Sequence, residues 1–151
     1  MKTYQQWMDE YGVSHKNPTN QFVHKICVPL IMFSVLGMLW VIPVPASWPE
    51  LLNFSTIAAA LALAFYFSLH PMMGLGMSVQ AAVMLTLCHF IAPSGQLLFW
   101  SIGIFVLAWI GQFWGHKVEG KKPSFLQDLV FLLIGPLWVM RFLYARLGYK
   151  V

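Results

Sequence analysis

The sequence predicts an all-α, polytopic integral membrane protein that forms a single membrane-embedded domain over residues 1–151. Hydrophobic residues make up 59% of the chain and charged residues 9%, whereas an ordinary soluble domain has roughly 25% charged residues. The charges are also unevenly placed, because Glu50 is the only ionised side chain between Lys25 and Lys117. So long a stretch with one charge cannot form the surface of a soluble domain.

Four segments are long and apolar enough to cross a bilayer as helices, since a span needs about 20 mostly apolar residues. Each is a continuous apolar run, unlike the alternating apolar and polar residues of a membrane β-strand. Turn-forming residues, above all prolines, separate the runs. The predicted spans are residues 26–44, 51–69, 72–92 and 97–115.

A fifth hydrophobic segment, residues 125–147, differs from these four. Asp128 and Arg141 interrupt it, and Gly135-Pro136 lies near its middle. The uncharged part between the two charges is roughly 12 residues long, which is too short for a span and typical of a re-entrant or interfacial element. We therefore expect a C-terminal pair of half-helices broken at Gly135-Pro136.

Lysine and arginine flank the spans, and this placement predicts the orientation in the membrane. With four spans and a last segment that does not cross, all nine basic residues lie on one side, which is then the cytoplasmic side. The expected location is the inner membrane of a bacterium or the endoplasmic reticulum of a eukaryote. Because the basic residues do not form a groove or a stripe, we do not expect a nucleic-acid partner.

The segment before the first span carries two histidines. Pro18 disfavours helical backbone at the residue before it, so His15 is expected on a loop. Thr19 or Asn20 is a natural N-cap for a helix that would place His24 about one turn from its start. The two imidazoles can form part of a shared metal site, or His15 can be solvated and His24 interfacial.

A second polar cluster lies at the end of the fourth predicted span. Gln112, His116 and Glu119 are spaced i, i+4 and i+7, which puts them on one face of a helix. A buried amide such as that of Gln112 needs a hydrogen-bond partner. A histidine and a carboxylate one turn apart can offer two metal ligands, or they can simply form a charged cap at the membrane surface.

The predicted topology brings both clusters to the same membrane face. His70 shares this face, where it is expected to be a helix-end residue, and His89 is expected near the opposite face. Imidazole and carboxylate ligands with open coordination positions are typical of a non-haem Fe(II) oxygenase, although zinc accepts the same atoms.

The two clusters together resemble a family of membrane proteins that includes the fungal 2-hydroxy fatty acid dioxygenase of phytosphingosine breakdown. The resemblance covers nearly the whole chain. In the family pattern the acidic residue follows the last histidine by four positions, whereas here Glu119 follows His116 by three. The matching pattern is His15-x-Asn17-Pro18-x-Asn20-x3-His24-x4-Pro29, followed by Gln112-Phe113-x-Gly115-His116 and Glu119.

The resemblance implies an Fe(II) enzyme that uses O2 to shorten a 2-hydroxy fatty acid by one carbon. It implies that His15, His24 and His116 hold the iron, with Glu119 as a fourth ligand or a residue that orients a ligand. Catalytic supporting roles, orienting the ligands or the substrate head group, are expected for Asn17, Asn20 and Gln112.

Two other functions are compatible with the same residues. One is a non-catalytic membrane scaffold or transporter subunit, although the predicted spans contain no Asp, Glu, Lys or Arg for coupling transport to an ion. The other is a zinc-dependent lipid hydrolase. The sequence predicts no oligomeric state.

Overall fold

The computed structural model describes residues 2–49, 51–124 and 129–149, and its regular structure in these ranges is entirely helical. A single 3-10 turn, Ala92–Ser94, separates the fourth and fifth α-helices. The six α-helices of the described ranges are α1 Tyr4–Gly12, α2 Pro18–Trp40, α3 Phe54–Leu69, α4 Pro71–Ile91, α5 Leu97–Glu119 and α6 Phe131–Arg146.

Within the described part of the chain, three helical stretches are long and apolar enough to cross a membrane: Pro18–Trp40, Pro71–Ser94 and Leu97–Glu119. Large apolar side chains on them face outward, with Phe90 74% and Phe99 73% exposed. Exposed apolar surface on this scale would be unfavourable in water and is expected where lipid surrounds a helix. Helix α3 is apolar but has 16 residues, so the number of four spans stays a prediction.

Helices α2 and α5 pack against each other in opposite directions through small residues. A Cβ atom added at Gly111 would lie 2.8 Å from the Cys27 sulfur, so the two helices approach too closely for a larger side chain there. This packing places the start of α2 beside the end of α5, which is where His24 and His116 lie. From the far end of α2 to its start, the contacting pairs are Gly37 with Ser101, Cys27 with Gly111 and Asn20 with Gly115.

Helix α1 was not among the predicted elements. Thr3 caps its first turn through a capping box with Gln6. Its buried face packs in one core cluster with residues of α6, and these contacts stabilise a helix that is too short to be stable alone. The buried residues of α1 are Tyr4, Trp7, Met8 and Tyr11.

The predicted break at Gly135-Pro136 is wrong, because α6 runs without interruption from Phe131 to Arg146. Proline removes one backbone donor, but a helix tolerates that loss where neighbouring elements surround it. The middle of α6 is enclosed in this way, with Ile134 and Leu137 completely buried. Residues 125–128, including Asp128, lie outside the described residues, and a re-entrant path for this segment stays a prediction.

Candidate metal centre

Three histidines from three separate segments meet at one end of the bundle. His15 lies in the loop between α1 and α2, His24 lies near the start of α2, and His116 lies in the last turn of α5. One ring nitrogen from each lies within 4.8 Å of those of the others. All three side chains are buried, with exposed fractions of 2%, 1% and 5%. The structure thus brings together the three residues that the sequence predicts as metal ligands.

Backbone carbonyl groups determine which nitrogens of His15 and His24 carry hydrogen. His15 Nδ1 lies 2.6 Å from the Tyr11 carbonyl oxygen, and His24 Nδ1 lies 3.0 Å from the Asn20 carbonyl oxygen. Because a carbonyl oxygen only accepts, each Nδ1 is the donor and each neutral ring has its lone pair on Nε2. Hydrogen bonding of the distal nitrogen to a carbonyl is also the usual arrangement of a metal-bound histidine.

The two Nε2 atoms lie 3.0 Å apart and point toward each other. Two lone pairs at this distance repel unless a positive charge lies between or beside them. A proton is a poor candidate, because burial lowers the pKa of His15 to about 4, although the bond to the Tyr11 carbonyl opposes this effect. The donor set therefore fits a metal cation.

The third histidine contributes a further buried nitrogen. His116 Nδ1 has no hydrogen-bond partner among the described residues. A buried polar atom without a partner is uncommon and calls for an explanation, of which an absent ion is one. The described cluster consists of histidines alone, so it would offer a metal three neutral nitrogen ligands. Such ligands suit iron, zinc, copper and nickel.

Two aromatic side chains enclose the histidines, and sequence reasoning missed both. The Tyr11 ring stacks on His15, with centroids 4.0 Å apart and planes 8° from parallel. Trp138 of α6 lies 5.1 Å from His15, centroid to centroid. Tyr11 could have been found, because the apolar residues of α1 recur at helical spacing, whereas nothing local marks Trp138 as part of the site.

Glu119 binds the loop that carries His15. Its Oε1 accepts a hydrogen bond from the Lys16 amide at 2.9 Å, and its Oε2 accepts from the Asn17 amide at 2.8 Å and from Asn20 Nδ2 at 3.1 Å. Its described partners are therefore amides rather than a ligand imidazole. The carboxylate joins the end of α5 to the segment that positions two of the histidines.

The two asparagines have different positions. Asn17 is the N-cap of α2, instead of the predicted Thr19 or Asn20. Its side-chain oxygen accepts a hydrogen bond from the Thr19 amide. The predicted cap is wrong because Pro18 occupies the first helical position, where its missing N–H costs nothing. Asn20 is instead completely buried one turn inside the helix, where its Nδ2 donates to the Ser14 carbonyl and to Glu119.

A cavity of about 60 Å³ adjoins the histidines. Gln112 lines it beside His24 and His116, as the predicted helical face requires. Ser124 also lines it, and the other lining side chains are aromatic, aliphatic or proline, with Gly135 completing the wall. The space is large enough for a small polar group held beside His24 and His116.

The remaining two histidines lie outside the cluster. His70 ends α3 and packs against Tyr4, with ring centroids 5.2 Å apart. His89 lies in the last turn of α4 and packs against Trp40, at the opposite end of the bundle from the three clustered histidines. The predicted separation of His89 from the site is confirmed.

Comparison with known proteins gives two matches and one negative result. The family described as 2-hydroxy-palmitic acid dioxygenase Mpo1-like matches residues 1–147. The chain is also 32% identical over 144 residues to the 2-hydroxy-palmitic acid dioxygenase MPO1 of Saccharomyces cerevisiae. The aligned region covers 92% of this chain and 78% of the yeast protein. No solved structure matches the chain.

Proposed function

This chain belongs to the 2-hydroxy-palmitic acid dioxygenase Mpo1-like family, and we propose that it is an Fe(II)-dependent dioxygenase acting on a 2-hydroxy fatty acid. The products are the fatty acid one carbon shorter, carbon dioxide and water. The reaction balances with O2 alone, because oxidising the 2-hydroxy acid to these products releases as many electrons as reducing O2 to water consumes. No further reductant is needed.

The observation that carries this proposal is the position of the unprotonated nitrogens. His15 and His24 direct lone pairs at each other across 3.0 Å, and His116 completes a set of three nitrogens within 4.8 Å. A bound ferrous ion would supply the Lewis acidity and electron-transfer chemistry that O2 activation requires. Three protein ligands would leave positions open for substrate and O2, as in other non-haem iron sites.

The surrounding residues have supporting roles in this proposal. Gln112 lies next to His24 and His116, where its amide can donate to the substrate carboxylate or hydroxyl. Tyr11 and Trp138 keep water from the imidazoles and fix the His15 ring. Asn17, Asn20 and Glu119 hold the loop that carries His15 through the hydrogen bonds described above. Lysines that follow His116 would attract the anionic substrate to this end of the bundle.

The proposed setting is a bilayer crossed by α2, α3, α4 and α5, with the metal centre at the cytoplasmic face. The one-sided distribution of basic residues supports this orientation. The membrane would be the inner membrane of a bacterium or the endoplasmic reticulum of a eukaryote. A substrate with an apolar chain and a charged head is suited to a site at such a boundary.

Metal analysis combined with turnover tests the proposal. Protein purified anaerobically in detergent is expected to hold one iron per chain, to consume O2 when 2-hydroxyhexadecanoic acid is added, and to release pentadecanoic acid detectable by mass spectrometry. Zinc in place of iron, with hydrolysis of a lipid ester, would favour a zinc-dependent hydrolase. A folded protein that binds neither metal would favour a non-catalytic scaffold.

A further inference from the structure

A second and larger cavity lies deeper in the bundle, between α2, α3, α4, α5 and α6. Its volume is about 390 Å³, within the range of roughly 300–1000 Å³ that is typical of small-molecule sites. Tyr66 and Trp109 carry the polar side-chain atoms of its lining, and the other lining side chains are entirely hydrophobic, apart from the proline ring of Pro136. The cavity is partly open, since Val35, Leu132 and Leu133 of its lining are 37–46% exposed, and an apolar group would fill it favourably.

Small residues on one face of α3 create the space. Ala58, Ala59 and Ala62 line the cavity, whereas Leu61 on the other side of the helix is 69% exposed. Positions 58 and 62 are one turn apart, so their methyl groups lie above each other on the same face. Leucine at either position would occupy part of the cavity.

This deep cavity adjoins the small cavity beside the histidines. Five residues line both of them: Ile31, Met32, Trp109, Leu132 and Pro136. A molecule that has its polar end at the three histidines can therefore continue into the deep cavity past Met32 and Trp109. An apolar tail attached to a small polar head is the shape that fits this pair of spaces.

The deep cavity also extends away from the metal centre along α2. Its lining on this helix runs from Ile31 to Leu39, and the eight helical steps between them span about 12 Å at the helical rise of 1.5 Å per residue. Helix α3 runs in the opposite direction, so Ala58 lies near the far end with Leu39, and Ala62 lies one turn closer to the histidines. The length of this space would limit the chain that it accepts.

The geometry points to the deep cavity as the binding site for the acyl chain of the 2-hydroxy acid, with Ala58 and Ala62 limiting chain length. This inference rests on the proposed function for the identity of the head group. The occupant is the substrate chain rather than a tail of a bilayer lipid, because the cavity continues to the histidines.

Matched substitutions on α3 test the limit on chain length. Ala58→Phe and Ala62→Phe fill the far end and the middle of the cavity, whereas Ala64→Phe adds the same ring at an exposed position that does not line it. We expect kcat/KM to fall by roughly 10-fold or more for each methylene group that no longer fits. The loss should begin at shorter chains in Ala62→Phe than in Ala58→Phe. Turnover of short 2-hydroxy acids should be unaffected in both variants, and Ala64→Phe should keep the wild-type dependence on chain length. Unchanged length profiles in both variants, with normal turnover, would overturn the inference and leave the proposed function intact.

Photolabelling gives a readout that does not depend on turnover. A 2-hydroxyhexadecanoic acid with a diazirine near its methyl end should label peptides containing Leu36, Leu39 or Ala58. Unlabelled 2-hydroxyhexadecanoic acid should compete, and phosphatidylcholine should not. Labelling of these peptides without any turnover would support the cavity and refute the proposed reaction. Labelling elsewhere, or equal competition by phosphatidylcholine, would overturn the inference.

Discussion

Three buried neutral imidazoles lose hydration on folding, and a metal ion would replace the lost interactions with coordination bonds. In the described residues, the distal nitrogens of His15 and His24 are held by backbone carbonyl groups, so neither ring can turn its Nε2 away without losing a hydrogen bond. Without a cation beside them, the two Nε2 lone pairs would repel each other. Binding of a cation should consequently stabilise the folded protein.

The first prediction concerns the three histidines. Fe(II) added anaerobically at 100 times its dissociation constant should stabilise the wild-type protein by about 2.7 kcal/mol, because it binds the folded state alone. His15→Ala, His24→Ala and His116→Ala should each lose this stabilisation and the bound iron. Thermal unfolding in detergent and metal analysis measure the two effects. His89→Ala, at the other end of the bundle, is the matched control. Loss of iron in that variant but not in His15→Ala would place the site elsewhere.

The second prediction concerns Glu119. Glu119→Gln replaces one accepting oxygen with an NH2 group, which cannot accept from the amides of Lys16, Asn17 or Asn20. The loop carrying His15 should loosen, and iron affinity or activity should fall by roughly 10–100-fold, as is typical when a residue that orients a ligand is changed. Competition with a chelator measures the affinity.

Glu10→Gln is the control for this substitution. Glu10 pairs with Lys2 at the surface, and such exposed pairs contribute roughly 0–1 kcal/mol. Equal behaviour of the two variants would mean that Glu119 acts only as a surface charge and has no part in holding the site.

The site could be predicted in part from the sequence, for a physical reason. Helical spacing alone predicts that Gln112 and His116 share one face, and charge placement predicts the same membrane side for that face and for His24. The contacts of Trp138 with His15 and His24 join segments that are far apart in the chain. No local pattern specifies such contacts.

At the scale of elements, α2 and α5 act as one unit that sets the distance between His24 and His116. Their closest approach near the site is at Gly115, where an added Cβ atom would lie 2.6 Å from Asn20 Oδ1. Asn20 has no room to retreat, because it is completely buried and its amide donates to the Ser14 carbonyl. The absence of a side chain at position 115 therefore lets the two helices bring His24 and His116 together.

The third prediction is that Gly115→Ala lowers iron affinity by at least about 10-fold, since displacing Asn20 disturbs both Glu119 and the start of the His15 loop. Gly103→Ala in the same helix is the control, because its added Cβ atom meets nothing within 4 Å. That variant should bind iron normally and gain roughly 0.5–1 kcal/mol from the better helix former. Chelator competition and unfolding in mixed detergent measure the two quantities. Similar iron affinity in both variants would show that the close approach is not required.

The helices themselves were predictable to different degrees. The long apolar runs predicted the ends of α3, α4 and α5 within a few residues. In lipid the backbone polar groups of such a run must pair within the segment, and a helix achieves this. Helix α1 was missed although its apolar residues recur at helical spacing, because the segment is short and polar overall and its burial depends on α6. The break at Gly135-Pro136 was wrongly predicted because local propensity disfavours a helix there and tertiary packing overrides it.

At the scale of the whole molecule, contacts at the two ends determine the direction of each helix. Trp40 at the end of α2 packs against His89 near the end of α4, so these two helices run the same way. Helix α3 must then return the chain from that end to His70, which packs against Tyr4 at the end that holds the three clustered histidines. Its 16 residues cover about 24 Å, most of the roughly 30 Å hydrocarbon core.

The last prediction follows from these directions: α3 crosses the membrane, and both chain ends lie on the cytoplasmic side with the metal centre. In a variant with Cys27 and Cys88 replaced by serine, single cysteines at Thr3 and Tyr149 should both be protected from a membrane-impermeant thiol reagent in intact cells and react after permeabilisation. A cysteine at Ala46, which is exposed between α2 and α3, should show the opposite behaviour.

No lysine or arginine occurs between α2 and α3 or between α4 and α5, so the positive-inside rule opposes the reverse orientation. Opposite labelling of Thr3 and Tyr149 would instead mean that α6 completes a fifth span, and three C-terminal basic residues would then lie across the membrane from the other six.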